Sequence, residues 1–306
     1  MRVGIGGMGL LTATTILAAM APAAQASSSK IVAVGAENEY ANVIGQIGGS
    51  YVSVSAIESN PNTDPHTFEA SPAVAEVVSK ARLIVQNGVG YDAYMNHIEA
   101  ASPSSNRTVI VVQSLLKLPG TTRNPHLWYK PHTMSAVADA VANDLAHLDP
   151  AHAPYFRARA TAFDRSLQSW YRDIASVKKE FPHVAVAVTE PVGDYMLNAV
   201  GANILTPWSL EAAVMNGVDP SPQDVATEQN LFSQHRVKVF LYNQQVTDSL
   251  TVSFLTLARR YHIPVVGVYE TMPAPGYDYQ SWMLAEVNAL KAALQHQKST
   301  VSLLSR

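Results

Sequence analysis

Short apolar runs recur along the chain, separated by stretches in which apolar residues return every three or four positions. In the first half, residues 30–36, 52–57, 82–88 and 108–113 are rich in Val and Ile and predict strands. Between them, helical spacing predicts helices over about 38–48, 71–81 and 91–101. The second half repeats the plan. Strands are predicted over 184–190, 237–243 and 264–270, nearly continuous in apolar residues as strands buried on both faces are. Helices are predicted over about 192–200, 221–234, 248–262 and 279–296. Strands alternating with helices imply parallel sheets.

A different pattern lies between the halves. Phe156, Ala160, Phe163, Leu167, Trp170, Ile174 and Val177 are spaced alternately four and three apart, an apolar stripe along one helix face. Asp149-Pro150 and Pro154 open this stretch and Pro182 closes it. A helix over 154–180 would span about 40 Å at ~1.5 Å per residue. The expected fold is therefore α/β: two lobes, each a mostly parallel sheet flanked by helices, joined by one long spanning helix. The boundaries expected are a leader at 1–26, a first lobe at 27–150, the spanning helix at 151–182 and a second lobe at 183–306.

Composition adds a compartment. Arg2, an apolar stretch through Leu10, Leu11, Ile16 and Leu17, and then Ala24-Gln25-Ala26 have the order of a cleaved secretory signal peptide. The stretch falls short of the roughly 20 apolar residues that a membrane anchor needs. The chain contains no cysteine. Disulfides, thiolate metal sites, cysteine nucleophiles and a thioether-linked lipid are thereby excluded, and a soluble periplasmic protein without a lipid anchor is expected. Loss of the leader would move the net charge from −3 to about −4, which argues against nucleic acid as partner. About 280 residues would remain, enough for two modest domains.

The candidate chemistry begins with a repeat. Asp64-Pro65-His66-Thr67-Phe68-Glu69 and Asn124-Pro125-His126-Leu127-Trp128-Tyr129 both read acid or amide, Pro, His, any residue, aromatic, polar. Proline restricts its own φ and the residue before it, so each imidazole is expected on a pre-set turn that presents it as a ligand. In the second half, Glu190 and Glu270 each end an apolar strand run. A carboxylate there loses solvation unless it is paired or coordinates something. Ligands of open α/β sheets gather outside the carboxyl ends of the strands. Two imidazoles and two carboxylates suit Zn2+ in four-coordination, or Mn2+ if a carboxylate binds through both oxygens. His132 and His183 also follow prolines but lack the aromatic frame, and the other histidines fall in helical patterns. Trp128 and Tyr129 are expected to wall the cleft rather than bind metal, and Tyr91 and Trp208 to fill the core or wall the cleft as well.

These motifs, with Ser71-Pro72, Asn87-Gly88-Val89-Gly90-Tyr91, Leu148-Asp149-Pro150 and Thr189-Glu190-Pro191, resemble the solute-binding proteins of zinc and manganese ABC importers over roughly 30–296. The resemblance implies His66, His126, Glu190 and Glu270 as metal ligands. It also implies that the fourth of these is most often an aspartate in the family, with Asp278 the nearest substitute here. The stretch 114–123 is short and free of histidine, unlike the His-rich loop of many zinc members. The implied role is capture of Zn2+ or Mn2+ between the lobes and delivery to a membrane ABC permease, by a monomer with no catalytic residue and no organic cofactor. The alternatives are a secreted zinc-dependent hydrolase and a metal-binding adhesin or structural protein. No H-E-x-x-H motif is present to favour the hydrolase.

Overall fold

A computed structural model of the chain describes residues 1–4 and 29–304, so the leader read at 1–26 lies, past its first four residues, outside the described residues. The first lobe runs β1 (Ile31–Glu37), α1 (Asn38–Gly48), β2 (Val52–Glu58), α2 (Pro72–Lys80), β3 (Leu83–Gln86), α3 (Ala93–Ala101), β4 (Thr108–Val111), α4 (Val112–Leu115) and α5 (Thr133–Leu148). Then come α6 (Ala153–Ser166) and α7 (Gln168–Glu180). The second lobe follows with β5 (Ala185–Val188), α8 (Asp194–Ala199), β6 (Asn203–Ile204), α9 (Trp208–Met215), α10 (Pro222–Ser233), β7 (Val239–Asn243), α11 (Ser249–Arg260), β8 (Val265–Val268) and α12 (Tyr279–His296). Each lobe holds a four-stranded parallel sheet, ordered β2-β1-β3-β4 and β6-β5-β7-β8. The two orders match, so each sheet reverses direction beside its first strand, where open α/β sheets bind ligands. Among the described residues no helix is long and apolar enough to cross a membrane.

The apolar stripe of the connecting segment is buried along its whole length, from Phe156 through Trp170 to Val177. Side chains of that size, fully buried, contribute about 1.5–3 kcal/mol each. α6 packs on α1 and α5 of the first lobe, and α7 packs on α12 and α8 of the second. The segment is interrupted once, at Leu167, where the amide bonds Asp164 O in a tighter turn. The acceptor it would otherwise use, Phe163 O, takes the Ser166 hydroxyl at 2.6 Å. The largest hydrophobic cluster runs unbroken from β1 through α5, α6 and α7 to β8 and α12, so both lobes share one core.

Reciprocal polar ties reinforce that shared core. Asn38 donates to Met272 O at 2.8 Å and accepts from Met272 N–H at 3.0 Å. The Tyr279 hydroxyl donates to Trp128 O at 2.6 Å. The lobes are joined by the connecting helices and also sewn together beside the cleft.

The strands end earlier than the apolar runs suggest, and side chains explain why. Past Val188, the Thr189 hydroxyl accepts the Asn243 amide at 3.0 Å in place of a backbone rung. Past Val268, Gln245 Oε1 accepts from the amides of Glu270 and Thr271 at 2.7 and 2.8 Å. Glu190 and Glu270 therefore lie two residues beyond β5 and β8, freed from the ladder and turned toward the cleft.

Candidate metal centre

The two Pro-His motifs fold alike at their first three residues and then diverge. Asp64 Oδ1 accepts the His66 amide at 2.8 Å, and Asn124 Oδ1 accepts the His126 amide at 2.9 Å. Such a side-chain turn is what Asp and Asn supply before a constrained residue. His66 then sits inside a 3-10 turn, Pro65–Thr67, with its ring about a quarter exposed. His126 precedes its turn, Leu127–Tyr129, and is wholly buried because Trp128 and Tyr129 are drawn into the core.

Ligand atoms of His66, His126 and Glu270 all lie within 4.8 Å of one another. Glu270 Oε2 is 3.1 Å from His66 Nε2, 3.2 Å from His126 Nε2, and accepts the Tyr91 hydroxyl at 3.1 Å. Asn124 Oδ1 also lies 2.9 Å from His126 Nδ1, which orients the ring so that Nε2 faces the centre. Glu190 stands outside this group of three. It is joined to the group by the Asn243 amide, which donates to Glu190 Oε1 and, at 2.7 Å, to Glu270 Oε1. The other Glu190 oxygen is buried with no partner. A buried carboxyl oxygen without a partner costs on the order of 1–3 kcal/mol unless something fills the gap. A cation bound beside Oε2 would fill it.

The charges are arranged for exchange. Burial opposes charge on His66, but the Glu270 hydrogen bond and the charges of Glu270, Glu190 and Asp64 overcome this and raise it to about 9. Burial likewise opposes charge on Glu270, yet bonds and charges from His126 and His66 hold its carboxyl well below the usual range. Burial first, with the His66 charge, pushes His126 down against the pull of Glu270. Burial, followed by the Glu270 charge, pushes Glu190 well up. Without metal, then, a proton on His66 occupies the place of a cation beside Glu270.

Asn243 and Gln245 complete the centre without having been singled out in the sequence, and Tyr91, expected in the cleft wall or the core, reaches Glu270 with its hydroxyl. Asn243 had a signal, since it ends the apolar run Val-Phe-Leu-Tyr-Asn between the two strand ends that were singled out. Gln245 had none. Its amide group also donates to Thr63 O, in the loop that carries His66, at 2.8 Å. Asp278, the substitute considered for the fourth ligand, is the N-cap of α12, accepting the Ser281 amide at 2.9 Å, and is not in the group. Trp128 stands edge-on to His126 at 5.4 Å between ring centroids. His132, His183, His235 and His262 occupy left-handed turn positions, and His152 pairs with Asp149 at 2.7 Å.

Because Asn124 orients His126 without touching the centre, Asn124→Ala should weaken metal binding about 10–100-fold, the usual cost of losing such a partner. Calorimetric titration with Zn2+ and Mn2+ checks it; unchanged affinity would mean the imidazole is fixed by packing alone.

Residues 34–293 match the family described as zinc-uptake complex component A, periplasmic. The manganese-binding lipoprotein MntA of Halalkalibacterium halodurans is 24% identical over 156 residues, 49% of this chain and 51% of that protein. The chain spans about half the length of the curated relatives it matches. The periplasmic zinc-binding protein TroA of Treponema pallidum superposes with a TM-score of 0.74 at 18% identity, over 87% of this chain and 99% of that one. A manganese-bound periplasmic metal-binding protein of candidatus Liberibacter asiaticus gives 0.71 at 18% identity, over 87% of this chain and all of that one. At these identities the superpositions establish the fold.

Proposed function

The chain belongs to the family of zinc-uptake complex component A, periplasmic, and from that premise we propose that it captures Zn2+ or Mn2+ between its lobes and delivers the ion to a membrane ABC permease. The observation that carries this reading is the convergence of His66 and His126 from one lobe with Glu270 from the other. We take Glu190 as the fourth ligand, through the oxygen that has no partner. We read the lobes as residues 27–150 and 183–306, the helical connector as 151–182, and the working compartment as the periplasm, after a leader at 1–26. The protein works as a monomer and carries its ion without making or breaking covalent bonds.

The cargo step is an exchange of cations. The incoming ion displaces the His66 proton, takes Glu270 Oε2 from both imidazoles, and gives the unpartnered Glu190 oxygen a neighbour. Each lobe contributes ligands, so the ion favours the closed arrangement, and a permease can read loaded from empty only through that difference. The shared core and the Asn38–Met272 tie keep the movement small.

Elemental analysis of the protein isolated from its own periplasm tests the reading. About one equivalent of zinc or manganese is expected, with the more abundant ion naming the physiological cargo. Protein that arrives without a transition metal and binds neither ion in calorimetry would sink the assignment.

A further inference from the structure

Beside the metal centre lies a cleft of about 430 Å3 that opens onto His66 and is lined also by Tyr91, Arg123, Pro125, Trp208 and Asn216. That size falls in the ~300–1,000 Å3 range of small-molecule sites and far exceeds the ~30 Å3 share of a water molecule. The Arg123 guanidinium stacks over the Trp208 ring, 4.3 Å from its centroid. Among the described residues it joins no ion pair and no hydrogen bond, so its fork of donors is free. Glu211 feels its charge, but burial first, and then Asp194 and Glu228, push that carboxyl up to about 10, so it is neutral and does not balance the arginine.

A free cation at the mouth of a site for divalent cations is electrostatically adverse on its own. It raises the energy of the bare ion, and a low-dielectric cleft strengthens the repulsion. An anion between the two reverses the sign. It would pair with the guanidinium through two parallel hydrogen bonds, the geometry Arg offers a carboxylate. Its other end would meet the ion on the side of His66 that lines the cleft, as a ligand added to those the protein supplies, which Zn2+ and Mn2+ can accept by raising their coordination number. The rim is open at Gly90, which lines the cleft and where a Cβ would touch nothing within 4 Å.

We propose that this cleft seats a small di- or tricarboxylate bound to the metal, so that the ion is held as a mixed protein–carboxylate complex with Arg123 anchoring the organic end. The inference rests on the metal-cargo reading and adds the chemical form in which the ion is held.

Equilibrium dialysis with radiolabelled citrate or malate, with and without Zn2+ or Mn2+, tests it while metal retention is followed independently. The expected result is that the wild-type protein retains one of the two carboxylates together with metal, and much less without it. Arg123→Gln should lower the carboxylate retained with metal at least about tenfold, the scale of a lost charge-assisted pair. Arg123→Lys, which keeps the charge but not the fork, should recover part of it. Metal retained with neither carboxylate overturns the proposal and leaves the metal reading standing. So does carboxylate held equally well by Arg123→Gln, or held equally without metal. A wild-type protein that retains no metal overturns both.

Discussion

Glu270→Gln should abolish high-affinity binding of Zn2+ and Mn2+, by well over the ~10–100-fold that loss of an outer partner costs. Its carboxylate is the point on which both imidazoles, the Tyr91 hydroxyl and the Asn243 amide converge. The amide keeps the shape and removes the charge. It also leaves the His66 proton without its counter-ion, so His66 should return toward an ordinary histidine value. Asp278→Asn is the matched control. Asp278 caps α12, and Asn caps a helix about as well as Asp, so this variant should bind metal as the wild type does. Calorimetry on both variants, with circular dichroism to establish that each is folded, checks the pair. A Glu270→Gln protein that keeps its affinity, or an Asp278→Asn protein that loses it, would move the ligand.

The same residue shows where the sequence was informative and where it was not. Both Pro-His turns were legible, because a proline and a side-chain acceptor two residues before the imidazole amide act locally, and local geometry is written in adjacent residues. The sheets were legible for the same reason, down to all but the two-residue strand β6. The strand-end acid rule was less discriminating. Glu37 and Glu58 also end apolar strands, pair in register across β1 and β2, and are buried, yet neither joins the group of three. What separates Glu270 from them is the second lobe's position against the first, set by the shared core and by Asn38, Tyr129 and Gln245, all distant in sequence. The break at Leu167 was hidden too, since it depends on which acceptor the Ser166 hydroxyl chooses.

The extra reach of a glutamate at position 270 has a structural answer in these ties. The Tyr129 hydroxyl donates to Tyr269 O at 2.9 Å, Gln245 holds the next two amides, and Asn38 holds Met272. The segment 269–272 is thereby fixed from both lobes, and the longer side chain spans to the histidines from a backbone that cannot drift. Gln245 then ties this segment to the loop of His66, so His66 and Glu270 are positioned by a single side chain.

Metal affinity and metal-free stability should run in opposite directions with pH. An ordinary histidine would stop competing with metal above about pH 6.5. Here the carboxylates around His66 hold its proton to about 9, so affinity should climb about tenfold per pH unit from 6.5 to near 9, roughly 100-fold over two units. For the metal-free protein the sign is reversed. A histidine raised above its unfolded value stabilises the fold fully below pH 6.5, and that contribution is lost as pH rises through about 9. The buried acids act the same way: burial raises Glu58, Glu228 and Glu286 to about 8, so their protonated fold is progressively penalised as pH climbs from their unfolded value toward 8. The melting temperature of the metal-free protein should therefore decline from mildly acidic pH to pH 9, while the rise in melting temperature on adding metal grows. Paired thermal melts across that range, with calorimetry in buffers of different ionisation enthalpy to count the protons released, check both halves. A metal-free melting temperature that increased toward pH 9, or an affinity flat above pH 6.5, would mean that His66 is not the proton that the ion replaces.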